Sequence, residues 1–152
     1  MKIGLVYADA LGAGGYPRDV RWLATALQSR GSSVSLFTSP GNCREGLDSR
    51  ITVMPVESVL HAEADVFHVF GIFIPRQIRL LSRLLRRDSR VILSPMGHLM
   101  PLHLKRHALR KQIYLVTIRP FLRGLGWLHS FSSEETRSIE QYWNHGTRCF
   151  EA

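Results

Sequence analysis

Apolar residues along this chain come in short blocks, separated by stretches whose hydrophobic positions recur at helical spacing. Residues 2–8, KIGLVYA, are a brief apolar run rich in strand formers that gives way to glycine, the pattern of a central parallel strand. After the loop DALGAGG, Val20, Leu23, Ala24 and Leu27 of YPRDVRWLATALQSRG fall on one helical face, with Pro17 suited to the first turn and Gly31 to the stop. SVSLFT at 33–38 alternates and ends at the turn-like SPGN, and ITVMPV at 51–56 reads as a third strand. A short helix or turn is expected over 57–64, then a buried strand DVFHVFG at 65–71, a helix over 75–87 and a strand RVILS at 90–94. The loop PMGHLMP opens a long helical region through Arg123 that Pro120 is expected to break in two. WLHSFS at 127–132 is the next strand. Ser132 and Glu135 have the spacing of a capping box for a helix running to Trp143, and TRCF at 147–150 begins a last strand.

Strands that alternate with helices imply a mainly parallel sheet, because parallel neighbours need a crossover and the crossover is normally helical. The expected fold is therefore α/β, a doubly wound, Rossmann-like sheet with helices on both faces and one domain spanning 1–152. Ligands in such sheets sit beyond the C-terminal strand ends, so loops 9–15, 39–48, 71–75 and 95–102 are where chemistry is expected.

A length of 152 residues and 45% hydrophobic content suit one core and argue against disorder. No apolar run reaches the ~20 residues of a membrane span, and the first apolar stretch is too short for a signal peptide, which points to a cytoplasmic protein. Cys43 and Cys149 stand far apart, with no Cys or His spacing that would gather a metal or a disulfide framework. The charge of +8 is lopsided: residues up to Phe70 hold six basic and seven acidic side chains, and the rest hold fourteen and five. That excess implies an anionic partner.

Gly12, Gly14 and Gly15 lie between the first strand and first helix, where a backbone without Cβ can approach a phosphate at a helix N-terminus. The dinucleotide fingerprint is broken, because Pro17 takes the third glycine's place and Thr38 and Ser39 stand where a ribose-binding acid is wanted. An NAD site is disfavoured, and a tight turn without ligand is the bland alternative. His98, beside Gly97 in the loop after a strand, could meet a sugar hydroxyl or a developing charge; the plainer reading is an exposed loop histidine. His68 and His129 fall mid-strand and read as satisfied core histidines. Arg76, Arg79, Arg83, Arg86 and Arg87 recur at helical spacing while Ile78, Leu81 and Leu85 can face inward. The row is a candidate contact for anionic lipid, against the plainer reading of a solvated face. Lys105, Arg106, Arg110 and Lys111 add a second basic cluster, but no aromatic residues interleave as a single-strand-binding surface needs, and nucleic acid is not expected as a partner.

Taken in order, four segments resemble the N-terminal, acceptor-side domain of family-4 (GT-B fold, group 1) glycosyltransferases. They are GGYPRDVRWLATALQSRG at 14–31, ADVFHVFG at 64–71, SPMGHLMP at 94–101 and LHSFSSEE at 128–135, and their order and spacing span nearly the whole chain. The resemblance implies a retaining enzyme that moves a sugar from a nucleotide-sugar to an acceptor, with no metal or other cofactor. By it, Gly14 and Gly15 approach the donor diphosphate, Gly97 lies near the reacting sugar, and His98 is the catalytic candidate. The sequence departs from the family at Phe70, where a second histidine is common, and at Pro95, Met96 and Gly97, which offset His98 from the strand.

The donor domain's glutamate pair is absent, so the chain is expected to be a fragment or half of a split enzyme that lacks its C-terminal donor-binding domain and turnover of its own. An apolar, poorly covered sheet edge near Cys149 would favour this reading. The alternative is a non-catalytic Rossmann-like module bound to a partner protein or peripherally to the inner membrane surface. A response-regulator or flavodoxin-like reading is weaker, since beyond Asp9 no acidic cluster follows the first strand.

Overall fold

A computed structural model describes residues 1–9, 15–39, 46–105, 107–143 and 147–151. Gly12, Gly14, Cys43 and Arg106, all weighed above, lie outside the described residues. The strands are β1 (Lys2–Tyr7), β2 (Ser33–Thr38), β3 (Thr52–Pro55), β4 (Val66–Phe70), β5 (Val91–Ser94), β6 (Trp127–Ser130) and β7 (Arg148–Glu151). They form one sheet in the order β3-β2-β1-β4-β5-β6-β7, with every neighbouring pair parallel. This is the doubly wound, Rossmann-like arrangement. Strand order reverses between β1 and β4, where the loops leaving the two strands diverge and open a crevice.

Two apolar cores lie on either side of the sheet. Val20 and Ala24 of α1 (Gly15–Ser29) pack with Ile3, Leu5 and Leu36 on one face. The other face carries α2 (Pro75–Leu85), α3 (Pro101–Lys105), α4 (Ala108–Ile118) and α5 (Ser133–Tyr142), whose Leu81, Leu104, Leu115 and Ile139 pack over Val6, Val69, Leu93 and Leu128. Period-2 alternation sends successive strand residues to opposite cores, so β1, β4 and β5, in the middle of the sheet, need apolar side chains almost throughout.

Most of the expected elements are present, and the differences have local causes. The short helix or turn expected after β3 is present as a 3-10 turn, Val56–His61. The long helical region breaks before Pro120 does its part: His107 adopts φ 61°, a left-handed conformation that no α-helix continues through, and separates α3 from α4. Pro120 then sits in the first turn of a second 3-10 segment, Arg119–Leu122. Helix α2 buries Gln77, Leu80, Ser82 and Leu84 as well as Ile78 and Leu81, so it is embedded more deeply than a single inward stripe suggests. The Ser132 hydroxyl accepts from the Glu135 N–H at 3.2 Å, as a capping box requires, but the Glu135 carboxylate does not return to its own cap.

Candidate functional site

At the crevice between β1 and β4 the backbone is held by one side chain. Gln77, fully buried on α2, accepts from the Ala8 N–H through Oε1 at 2.7 Å. Its Nε2 donates to the carbonyls of Phe70 and Gly71, the latter at 2.9 Å. A primary amide is the side chain that offers donor and acceptor at once, and here it ties the end of β1 to the end of β4. Gly71 follows in the left-handed region, φ 89°, and a Cβ there would meet Ile74 Cδ1 at 3.3 Å and His98 Cε1 at 3.5 Å. The positive φ is what calls for glycine, since the tight contact is only with the flexible end of Ile74.

His98 sits in the turn that leaves β5. That turn passes through two consecutive left-handed residues, Met96 (φ 59°) and Gly97 (φ 73°), and closes with the Met100 N–H donating to the Gly97 carbonyl at 3.0 Å. The Gly97 N–H points to Glu135 Oε1, and Glu135 Oε2 accepts from the Phe131 N–H at 3.0 Å. Glu135 is 1% exposed, so this buried carboxylate stitches the loop after β5 to the loop after β6. A buried carboxylate without such donors would be costly.

The His98 ring lies edge-on to Tyr16 of α1, with centroids 5.4 Å apart, and tilted against Phe73 at 5.7 Å. Phe73 in turn packs on Tyr114, whose hydroxyl donates to the Ile72 carbonyl at 3.1 Å, while Lys111 Nζ stands 5.1 Å from the Phe73 ring centre. Burial first, and then the nearby charges of His103 and Lys111, lower the His98 pKa to about 4, so the imidazole is neutral at neutral pH. Its Nδ1 accepts from the Ile72 N–H at 3.4 Å, which assigns the ring proton to Nε2. A neutral imidazole of that tautomer is a hydrogen-bond donor at Nε2. Burial also raises the Tyr16 pKa, with Glu135 and Asp19 adding to the effect, and keeps the phenol protonated.

Tyr16, Gly71, Gly97 and His98 thus converge at one rim. Gly15 opens α1 directly before Tyr16, and nothing lies within 4 Å of where its Cβ would be. The Arg76, Arg79, Arg83, Arg86 and Arg87 row lies on the outer face of α2, and its first member reaches the end of β2, where Arg76 Nη1 donates to Ser39 Oγ at 3.2 Å. Arg76 pairs with Glu57, Arg86 Nη2 donates to Ser82 Oγ at 3.2 Å, and Arg87 donates to the Leu60 carbonyl.

His68 and His129 are buried, as core histidines should be, and they share a partner. Ser94 Oγ lies 2.6 Å from His68 Nε2 and 2.7 Å from His129 Nδ1, forming a chain across β4, β5 and β6. Burial, and secondarily His129, lowers the His68 pKa to about 3. Reading the sequence alone missed Gln77, Glu135 and Tyr16 as site-builders. Of the three, Glu135 carried a signal, its capping-box spacing.

At the end of β2, where a dinucleotide fold places an acid on the ribose, the Thr38 hydroxyl donates to the Asp9 carbonyl at 2.8 Å and the Ser39 hydroxyl to that of Ala8 at 2.5 Å. Both hydroxyls donate into the backbone, and Ser39 Oγ also accepts from Arg76 Nη1 at 3.2 Å. A cavity of about 490 Å³ lined by Arg119, Leu125, Trp143 and Thr147 lies at the opposite, N-terminal end of β6 and β7, remote from the rim.

No protein-family model and no curated protein matches the chain. Among solved structures it is similar to a short-chain dehydrogenase/reductase (ethylated) from Veillonella parvula DSM 2008, at 18% identity and a TM-score of 0.55, over 86% of this chain and 68% of that one. These findings correct the assignment to family-4 (GT-B fold) glycosyltransferases: no model of that family matches, and the solved structure named above is a dehydrogenase/reductase. The motifs that carried the resemblance are strand ends, a glycine turn and a helix cap, which any parallel sheet of this kind requires. What stands is a Rossmann-like α/β fold, one on which enzymes are built. A likeness at 18% identity speaks to fold and assigns neither cofactor nor reaction. No helix among the described residues is long and apolar enough to cross a membrane.

Proposed function

We propose that the rim formed by Tyr16, Gly71, Gly97 and His98 holds a hydroxyl-rich substrate for group transfer, in its specific form the transfer of a sugar from a nucleotide-sugar to an acceptor. The reading rests on the chemistry of this rim and on no family membership. The observation that carries it is the neutral His98, whose Nδ1 is occupied by the Ile72 N–H and whose Nε2–H is left to donate. Such a group suits a sugar hydroxyl or an oxygen gaining charge and cannot act as a base through Nδ1 without losing its backbone partner. Tyr16, protonated, is a second donor on the same side.

Gly15 at the start of the 15-residue helix α1 leaves the backbone open to a diphosphate in the field of the helix N-terminus. Trp127 and Phe131 stay half-exposed at the end of the sheet, next to the edge strand that holds Cys149, which favours a further domain or protein covering that edge. In this reading the donor's remaining contacts come from that second body, and neither a metal nor a nicotinamide is needed.

The test is calorimetric binding of the purified chain to a panel of nucleotide-sugars, with NAD and NADP run in parallel. Binding of at least one nucleotide-sugar that weakens about tenfold in His98→Ala, the loss of roughly one well-formed hydrogen bond in a low-dielectric site, is expected. Saturable NAD or NADP binding with no response to any nucleotide-sugar would abolish the proposal.

A further inference from the structure

Helix α4 is apolar on two opposite sides. Tyr114, Leu115 and Ile118 face the core, as one side of a packed helix should. The other side carries Leu109, Ile113 and Val116, which are 71%, 60% and 62% exposed and lie within about 60° of one another on an ideal helix. Leu102 on α3 and Phe121 in the following 3-10 turn are exposed as well. Single exposed leucines are ordinary, but a continuous ridge on the outer face of one helix, extended by the elements before and after it, marks a contact surface.

The charge around that ridge has one sign. Between residues 66 and 133 there are twelve basic side chains and a single acidic one, Asp88. Exposed Lys105 and Arg110 flank the ridge on its own elements. Beside it, a groove of about 370 Å³ separates α4 from α2, with Ile78, Ile118 and Phe121 in its walls and Arg79, Arg83 and Arg86 along its lip. The arginine row thus lines the groove on the α2 side of α4, and Lys105 and Arg110 lie on the ridge's own elements.

We propose that the outer face of α4 is a docking surface for an anionic phospholipid bilayer, with Leu109, Ile113 and Val116 entering the acyl boundary and Arg79, Arg83, Lys105 and Arg110 meeting the headgroups. The long cationic side chains beside the ridge can lie along apolar groups while their heads reach phosphate. An uncharged partner would gain nothing from so one-sided a field. The inference does not depend on what the rim at His98 binds.

Co-sedimentation of the full chain with vesicles tests it, using phosphatidylcholine alone against phosphatidylcholine in which about a third of the lipid is phosphatidylglycerol. Partition onto the anionic vesicles should exceed that onto the neutral ones by at least ~10-fold and should fall with added salt. Leu109→Asp with Ile113→Asp should reduce anionic partition by ~10-fold or more, and both positions are exposed, so the thermal melt should not move. Arg79→Ser with Arg83→Ser should lower anionic partition roughly fivefold per charge removed and leave the neutral value unchanged. Equal partition onto both vesicles would overturn the proposal, as would wild-type partition by the aspartate pair. Concentration-dependent self-association that the aspartate pair abolishes, without vesicle binding, would reassign the ridge to contact between copies of the chain.

Discussion

Burial lowers the pKa of both His68 and His98, yet the two rings sit in opposite situations. His68 lies in the middle of β4 and shares Ser94 with His129, so its polar Nε2 is satisfied inside the protein. His98 lies in a turn, spends one nitrogen on the Ile72 N–H and is walled by Tyr16 and Phe73. A depressed pKa is common to both and separates nothing. What separates them is place: His68 is buried in mid-sheet with Nε2 held by Ser94, whereas His98 stands in the loop beyond β5, at the rim where ligands of such sheets bind.

The largest effect that would sharpen this contrast is expected from Ser94→Ala. It leaves ring nitrogens of two buried histidines without a partner, for about 3 kcal/mol of stability and a melting temperature lower by roughly 6–12 °C, while ligand affinity at the rim is unchanged. A urea melt beside a binding isotherm checks both halves. Equal damage to stability and affinity would show that the two regions are one network.

Acid should act through the same buried chain. The folded His68 pKa of about 3 lies below the ordinary 6.5, so between those values the unfolded chain binds the extra proton. Stability from this group is complete above the unfolded pKa and is lost as pH falls toward the folded one, about 2 kcal/mol between pH 7 and pH 5. His129, lowered by burial, contributes with the same sign. Urea midpoints across that interval measure the slope, and His68→Gln should flatten it.

Glu135→Gln is expected to cost less, about 1.5 kcal/mol, since the amide oxygen can still accept one of the two N–H groups but without charge assistance. Its more telling effect is on the Gly97 turn, read as altered amide shifts at Gly97 and His98. The smallest stability change belongs to His98→Asn, under about 1 kcal/mol, because only a 3.4 Å hydrogen bond at a half-buried ring is lost. Affinity for the rim ligand should nonetheless drop. A variant that binds as well as the parent would place His98 with His68, among the structural histidines.

Much of the fold was legible because its signals are local. Short apolar runs such as 33–38 and the helix from Tyr16 to the stop at Gly31 are set by side-chain period and by turn residues, and β2 and α1 appear where that period places them. The break at His107 was not legible, because nothing in the residue type announces a left-handed conformation, and Pro120, the obvious breaker, drew attention away from it. The family resemblance failed for a related reason: strand ends, glycine turns and caps repeat across unrelated parallel-sheet proteins, and reading them reads the sheet.

The sequence by itself determined the number and order of the strands, the glycine-bearing turns and the one-sided charge of the second half, since each depends on neighbours within a few residues or on counting. Only the tertiary structure decided that Gln77 clips β1 to β4, that Glu135 reaches the Gly97 N–H, and that the arginines of α2 line a groove against α4. Ala8 and Gln77 are 69 positions apart, and Gly97 and Glu135 are 38 apart. Chain crossover brings them together, and no period along the sequence encodes which polar side chain will find which backbone group once the sheet has closed.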